Sequence, residues 1–400
     1  MSTRDTPRQM SVMHISCDPL RRYASGKNSV IRTLMDSLKR YHVPAFFLAP
    51  PQYSYKRILQ RGISSLVGRF NSDKAKTWHL LKYSINPLLG SLAKASDRVN
   101  SNSVFHTHDI IAAWVVLSSL GEKVPLVITV HSFGPPTAEF ERQGYFRDAP
   151  ETTREFKRIE SLTFAQARII TTPSEASRSE ILRLYPDLDP RKVRVVPNPV
   201  SPILFEQPPL QKTQLDLPED CVVVFTAAAL VKSKRIDLLL HIAKMVVDKC
   251  DIKPYFLIAG KGPELRRLKE IARKLGIYRH VLFPGEVRNV GPYLGASDIV
   301  VSTSEYENFP LTLAEGSAMG KPLVAFDVGG VSSIARNGLN AYVVKYGDLE
   351  SYADYLCKLI ENPDIRKRFG TASREVAEAF DLDNITRDYI SIYNEVLRQT

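Results

Sequence analysis

The sequence has little of what would mark a secreted, fibrous or membrane-spanning protein. Its 400 residues include only four cysteines, Cys17, Cys221, Cys250 and Cys357, far apart and without a CxxC or Cys/His pairing. That spacing argues against a zinc site and predicts reduced thiols in a cytosol. No run of about 18 apolar residues occurs, so a membrane-spanning helix is excluded. The first twelve residues, MSTRDTPRQMSV, are polar and lack the apolar core of an export signal. The 20 glycines and 26 prolines are too few and too dispersed for a collagenous or low-complexity chain. What is present, 44% hydrophobic and 24% charged, supplies enough apolar mass for two or three domains.

The formal net charge is +11, and it is unevenly placed. Residues 1–200 hold 29 Lys and Arg against 17 Asp and Glu, whereas residues 201–400 hold 25 against 26. A basic half can meet nucleic acid, an anionic membrane surface or a phosphorylated ligand. Aromatic-interleaved basic strands and a recognition helix are both missing, so nucleic acid is not an expected partner. Within residues 51–100, nine basic residues face only Asp73 and Asp97. YKRILQRGISSLVGRF and KAKTWHLLKYSINPLLGSLAK repeat apolar residues at helical spacing with basic residues on the remaining faces. Such helices can lie on an anionic membrane surface or bury their stripe on a sheet.

Both halves alternate short apolar strands with helical patterns. VMHIS, PAFFLA, SVFHTH, PLVITVH and ARIITTP read as strands of the first half. Six prolines between Pro197 and Pro218 mark a linker, because proline fixes φ and removes a backbone donor. CVVVFTAA, YFLIAG, HVLFPG, DIVVST, PLVAFD and AYVV then restart the pattern. The expected fold is α/β, with two Rossmann-like domains whose parallel sheets face a central cleft.

The segment DIVVSTSEYENFPLTLAEGSAMGKPLVAFDVGG (298–330) carries the most chemistry. A strand ends near Ser302, a loop delivers Glu307, and a helix begins near Pro310 or Leu311 with Glu315 in its first turns. The helix start offers the amides of Leu311 and Thr312 to a phosphate. A carboxylate accepts two hydroxyl hydrogen bonds at once, so Glu315 suits a ribose diol. The spellings Asp187-Leu188-Asp189 and Asp381-Leu382-Asp383 match a DxD metal motif superficially, but read as caps and turns.

With seven residues between Glu307 and Glu315, this segment resembles the retaining glycosyltransferases of family 4, which have the GT-B fold. VRVVPNPV, LIAGKGPEL, VLFPGEV, TTPSEASRSEIL and TVHS are similar to further family segments in the same order. The resemblance implies transfer of a hexose from a nucleotide sugar, UDP-sugar favoured over GDP-sugar, with no metal or other cofactor. It implies a glycan or lipid-linked acceptor in envelope or exopolysaccharide synthesis, at a cytoplasmic or peripheral inner-membrane location. An acceptor-binding domain would span 1–200, a nucleotide-sugar domain 201–382, and a helix at 383–400 would cross back to the first.

The same resemblance implies site roles. Glu315 would hold the ribose, and Glu307 the sugar or diphosphate, with Asn308 and Phe309 beside it in the donor loop. Lys234 would neutralise the leaving diphosphate, aided by Leu311, Thr312 and Arg235. His131 would contact the donor sugar, Gly26 would lie near the phosphates, and Val287 would meet the base through its backbone. One departure is chemical: the family's Gly-Arg-Leu is Ala228-Ala229-Leu230 here. A cation is missing there, which Lys232 or Arg235 would have to replace, or the chain is a catalytically weak or non-catalytic partner protein.

Overall fold

In the computed structural model, which describes residues 10–17, 26–49, 88–144 and 150–399, the chain divides into two units. The first comprises Met1–Pro197 and Asp383–Thr400, the second Asn198–Leu382. Most of the basic stretch, residues 51–87, and the turn preceding Gly26 lie outside the described residues.

The first unit is built on six parallel strands: β1 (Ser11–Ile15), β2 (Ala45–Leu48), β3 (Ser103–Thr107), β4 (Leu126–Thr129), β5 (Ile169–Thr172) and β6 (Val193–Val195). Their order is β2-β1-β3-β4-β5-β6. Most of these strands are buried throughout, as befits a parallel sheet covered on both faces. Helices α1 (Gly26–Arg40), α2 (Ile110–Leu120), α3 (Pro150–Gln166) and α4 (Glu175–Leu184) connect them. The Asp109 and Ser174 side chains cap α2 and α4 by accepting from the amides of Ala112 and Ser177. One face of the sheet packs on α2 and α3, through residues such as Val115, Val116, Phe156 and Ile159.

The other face takes α1 and the last helix of the chain. Leu34 and Leu38 of α1 join Ile385, Tyr389, Ile392, Tyr393 and Val396 over Val12, Val104 and Val127. Arg194 of β6 makes a two-pronged ion pair with Glu395, both distances 2.6 Å. A planar guanidinium matched to a carboxylate in this way fixes position as well as charge.

The second unit repeats the plan with β7 (Val223–Ala227), β8 (Tyr255–Ala259), β9 (Val281–Gly285), β10 (Ile299–Ser302), β11 (Leu323–Phe326) and β12 (Ala341–Val344). The order is β12-β11-β10-β7-β8-β9, all parallel. Helices α5 (Ile236–Lys249), α6 (Leu265–Lys274), α7 (Leu311–Ala318), α8 (Leu349–Glu361) and α9 (Pro363–Ala377) surround it, and α10 (Leu382–Arg398) is the terminal helix already described. Separate apolar clusters fill its two faces. The proline-rich stretch after Pro197 joins neither sheet and forms short 3-10 turns, with Leu204 buried. No helix among the described residues is long and apolar enough to cross a membrane.

The expectation of reduced thiols is overturned. Cys250, at the end of α5, and Cys357, in α8, form a disulfide with their Cα atoms 5.8 Å apart. The two lie 107 positions apart in sequence, but both helices pack into one apolar cluster on the same side of the sheet. Cys17 and Cys221 are buried and take no part in this bridge. A bridge of this kind contributes roughly 2–4 kcal/mol, chiefly by restricting the unfolded chain. Alkylation of the denatured, unreduced protein is expected to modify two thiols, and four only after reduction. Four labels without reduction would show that the bond is not formed.

Candidate active site

In the second sheet the strand order reverses direction between β7 and β10, which pair directly through Ile299↔Val224 and Val300↔Phe225. Connections from these two strands leave towards opposite edges, so their carboxyl ends border a crevice where open α/β sheets bind ligands. The loops after β7 (228–235) and after β10 (303–310) carry most of the residues expected to act.

The first of these loops is fixed by backbone contact with the turn after β8. Leu230 donates to the Lys261 carbonyl at 2.9 Å, and Ala228 to that of Ala259 at 3.0 Å. A Cβ on Gly260 would stand 1.8 Å from the Ala228 oxygen, and one on Gly262 would stand 2.2 Å from that of Leu230. Only glycine permits this approach, which explains the GKG spelling. Arg235 is the N-cap of α5 at φ +48°. Its guanidinium is engaged with Asp237, at 3.1 and 3.3 Å, and with the Tyr346 hydroxyl at 2.8 Å. Lys232 is exposed.

The second loop grips the first. The Thr303 hydroxyl donates to the carbonyls of Lys234 and Arg235, and the Glu305 amide to that of Ser233 at 2.9 Å. The Gly330 amide donates to the Glu307 carbonyl at 2.9 Å. With both backbones pinned, Lys234 Nζ reaches Glu307 Oε1 at 2.7 Å. The pair is shielded, with 28% and 13% of the two side chains exposed. An ammonium has three hydrogens, so Glu307 occupies only part of its capacity. Asn308 is buried, and Phe309 packs edge-on against Phe380 within the core.

Helix α7 begins at Leu311, so the amides of its first turn have no acceptor within the helix. Thr312 anchors this end by donating its hydroxyl to the Ala227 carbonyl, at the end of β7, at 2.6 Å. Glu315 lies one turn further on, on the same helix face as Thr312. It keeps some accessible surface, yet desolvation pushes its carboxyl from 4.5 up to about 7. Among the described residues no side chain or amide donates to that carboxyl. Val287 follows β9 and packs partly against the core.

The first sheet has its own reversal, between β1 and β3. His131 is partly buried just beyond β4, and Gly26 is the first residue of α1. Three histidines that sequence reasoning missed surround this point: His14 of β1, His106 of β3 and His108 directly after it, all buried. His108 Nδ1 lies 3.0 Å from His131 Nε2. Asp109 ties the two strand ends together, accepting from the Ser16 hydroxyl at 2.9 Å and the Cys17 amide at 2.8 Å. Only the spelling HTHD at a strand end hinted at this cluster.

Residues 209–376 match the family described as glycosyl transferases group 1, and residues 30–203 match glycosyltransferase family 4. The N-acetyl-alpha-D-glucosaminyl L-malate synthase of Bacillus anthracis is 26% identical over 78% of this chain and 79% of its own. The lipopolysaccharide core biosynthesis glycosyltransferase LpsD of Rhizobium meliloti is 24% identical over 96% of this chain and 98% of its own. Among solved structures, sucrose-phosphate synthase from Thermosynechococcus elongatus superposes with a TM-score of 0.77 at 18% identity, covering 98% of this chain and 100% of that one. The Anabaena protein HepE in complex with UDP-glucose gives 0.69 at 17% identity, covering 96% and 99%. The fold is GT-B, and the chain belongs to the family-4 group of glycosyltransferases.

The Glu315 carboxyl makes a pH prediction. Folding raises its proton affinity, so between about pH 4.5 and 7 the folded chain binds more protons than the unfolded one. This group's effect on stability is therefore neutral below that window and becomes increasingly unfavourable as pH rises through it, by roughly 3 kcal/mol in all. Denaturant titrations at pH 5 and 8 should show Glu315→Gln removing that part of the pH dependence. An unchanged difference between the two pH values would place the carboxyl in water.

Proposed function

We propose that the chain transfers a hexose from a nucleotide sugar, with retention of anomeric configuration, to a glycan or lipid-linked acceptor of an envelope polysaccharide. The observation that carries this reading is the Glu315 carboxyl, largely desolvated and without a donor among the described residues, on the helix that follows the Lys234–Glu307 loop. Such a group gains from two ribose hydroxyls what desolvation costs it.

Breaking the sugar–phosphate bond places negative charge on the leaving diphosphate and positive charge on the anomeric carbon. Lys234, with hydrogens to spare beyond Glu307, stabilises the anion alongside the Leu311 and Thr312 amides. Glu307 contacts the sugar or diphosphate, with Asn308 beside it. Phe309, being in the core, serves by holding the loop. Val287 contributes backbone groups to the base, Gly26 lies near the phosphates, and His131 is assigned to the donor sugar. None of these steps calls for a metal. UDP is the favoured nucleotide, in keeping with HepE, whose structure holds UDP-glucose. The envelope assignment draws on LpsD, which aligns along almost its whole length. A cytoplasmic position, peripheral on the inner membrane through residues 51–100, completes the reading; the Cys250–Cys357 bond removes the cysteine argument for it.

A second reading follows from Ala229, where the family usually has arginine. Arg235 is already engaged by Asp237 and Tyr346, which leaves Lys232 as the nearby cation. Loss of one charged donor at a developing anion costs about 3–4 kcal/mol of transition-state stabilisation, so a slow or non-catalytic partner protein is the alternative.

Nucleotide-sugar hydrolysis and binding separate the two. Lys234→Ala is expected to lower turnover at least a hundredfold, and Glu315→Ala to weaken nucleotide-sugar binding at least tenfold. Because hydroxyls donate to the ionised carboxyl, wild-type affinity should rise with pH up to about 7, by at most about tenfold per unit. Binding with no turnover would favour the partner-protein reading. No binding, with both variants silent, would reject the enzyme.

A further inference from the structure

We propose that Phe133, in the loop after β4, is a stacking platform for a pyranose ring of the acceptor. Side chains from three elements pin the backbone around it and hold the ring ready. The inference deepens the proposed transfer to a glycan or lipid-linked acceptor, and rests on that reading for its functional meaning. It gives the acceptor an aromatic subsite on the first unit.

Residues 130–135 run from the carboxyl end of β4 to the short helix Pro136–Arg142. His131, Ser132 and Phe133 are partly exposed, whereas Gly134 and Pro135 are buried. Phe140 of the short helix and Phe156 of α3 fill the apolar cluster on that side of the sheet. Phe133 belongs to none of the apolar clusters among the described residues. A single apolar residue at the surface is ordinary. What sets this one apart is how firmly it is held.

The Phe133 amide donates to Glu139 Oε2 at 3.2 Å, and its carbonyl accepts from the Arg142 guanidinium. The next amide, of Gly134, donates to the Ser177 hydroxyl of α4 at 3.0 Å. That hydroxyl also accepts from Thr172 of β5 at 2.8 Å and donates to the Ser132 carbonyl at 3.3 Å. Its one hydrogen and both lone pairs are thus used on this arrangement. Gly134 takes φ +73°, and a Cβ there would stand 2.5 Å from Glu180 Cγ. The chain turns against α4 where only glycine fits.

The short helix that supplies Glu139 and Arg142 has a rigid base of its own. Buried Glu160 of α3 accepts from the Thr137 amide at 2.8 Å and the Thr137 hydroxyl at 2.9 Å. Its other oxygen accepts from the Tyr185 hydroxyl at 2.5 Å. From this base Arg142 also lies over the Phe133 ring, with Cζ 5.5 Å from the centroid. A guanidinium on the ring face steadies the side chain as well as the backbone.

A pyranose carries its hydroxyls around the rim and C–H groups on its faces. A flat apolar ring covers one such face and leaves the rim in water. Because backbone and ring are already ordered, little conformational entropy is lost when the sugar binds. His131 opens the same loop, and two residues span at most about 7 Å. In this reading His131 takes the donor sugar, which leaves the neighbouring ring, that of the acceptor, to Phe133.

The test is saturation-transfer NMR on the full-length chain with irradiation of aromatic protons. The acceptor probes are the methyl α-glycosides of glucose, galactose and mannose. Glycerol serves as a hydroxylated molecule without a ring, and UDP-glucose as the donor. At least one glycoside is expected to receive saturation on the C–H groups of one ring face, and glycerol none. Phe133→Leu keeps apolar bulk without an aromatic face and should weaken that glycoside's binding about fivefold or more. Phe133→Trp should keep it within about twofold of wild type. UDP-glucose affinity should change less than twofold in both variants, a separation that a general loosening of the fold would not give. If Phe133→Leu does not fold, carbon-13 labelled phenylalanine decides: the ring signals missing from Phe133→Trp must shift when the glycoside is added. Saturation of no glycoside, unchanged binding in Phe133→Leu, or an equal loss of UDP-glucose would overturn the proposal. Glycosides behaving as expected while UDP-glucose fails to bind would support the platform and count against the nucleotide-sugar reading alone.

Discussion

Everything chemical in this protein depends on a constraint of parallel sheets: where strand order reverses, neighbouring connections diverge and the carboxyl ends of two strands are left uncovered. The reversal falls between β7 and β10 in the second unit and between β1 and β3 in the first. In the second, the two emerging loops are pinned to each other by Thr303 and Glu305, and that backbone lock sets the Lys234–Glu307 pair. In the first, Asp109 does the corresponding work, and histidines collect at the opening.

The electrostatics follow the same division. The second half of the chain is nearly neutral overall, so its affinity for a charged donor has to come from a few aimed groups. Lys234 is held by one carboxylate, Glu315 has no donor among the described residues, and the start of α7 supplies amides. Where a family arginine is expected, Ala229 offers nothing, and the Arg235 guanidinium is spent on Asp237 and Tyr346. The positive charge of the chain is concentrated in its first half, most densely over residues 51–100.

Much of the fold was legible in the sequence, because short apolar runs rich in β-branched residues, such as VVVF and IVV, fit strands buried on both faces. The Glu307–Glu315 spacing was legible too, since both residues belong to one contiguous strand–loop–helix segment. What escaped was brought together by packing rather than by neighbourhood. Cys250 and Cys357 meet only because α5 and α8 share one side of the sheet. Arg235 looked available to a diphosphate until Tyr346, more than a hundred residues on, closed over it. Phe309 resembled a pocket residue but fills the core. The histidines at 14, 108 and 131 come from three different strand ends, and no local pattern links them.

The central claim is that a nucleoside diphosphate sits at the β7/β10 reversal, and a crystal structure of the chain with the nucleoside diphosphate that stabilises it most tests this directly. The account predicts phosphate oxygens within hydrogen-bond distance of Lys234 Nζ and of the Leu311 and Thr312 amides, with both ribose hydroxyls on the Glu315 carboxylate. A nucleotide bound elsewhere, with Lys234 still given wholly to Glu307 and the Glu315 carboxyl untouched, would contradict it.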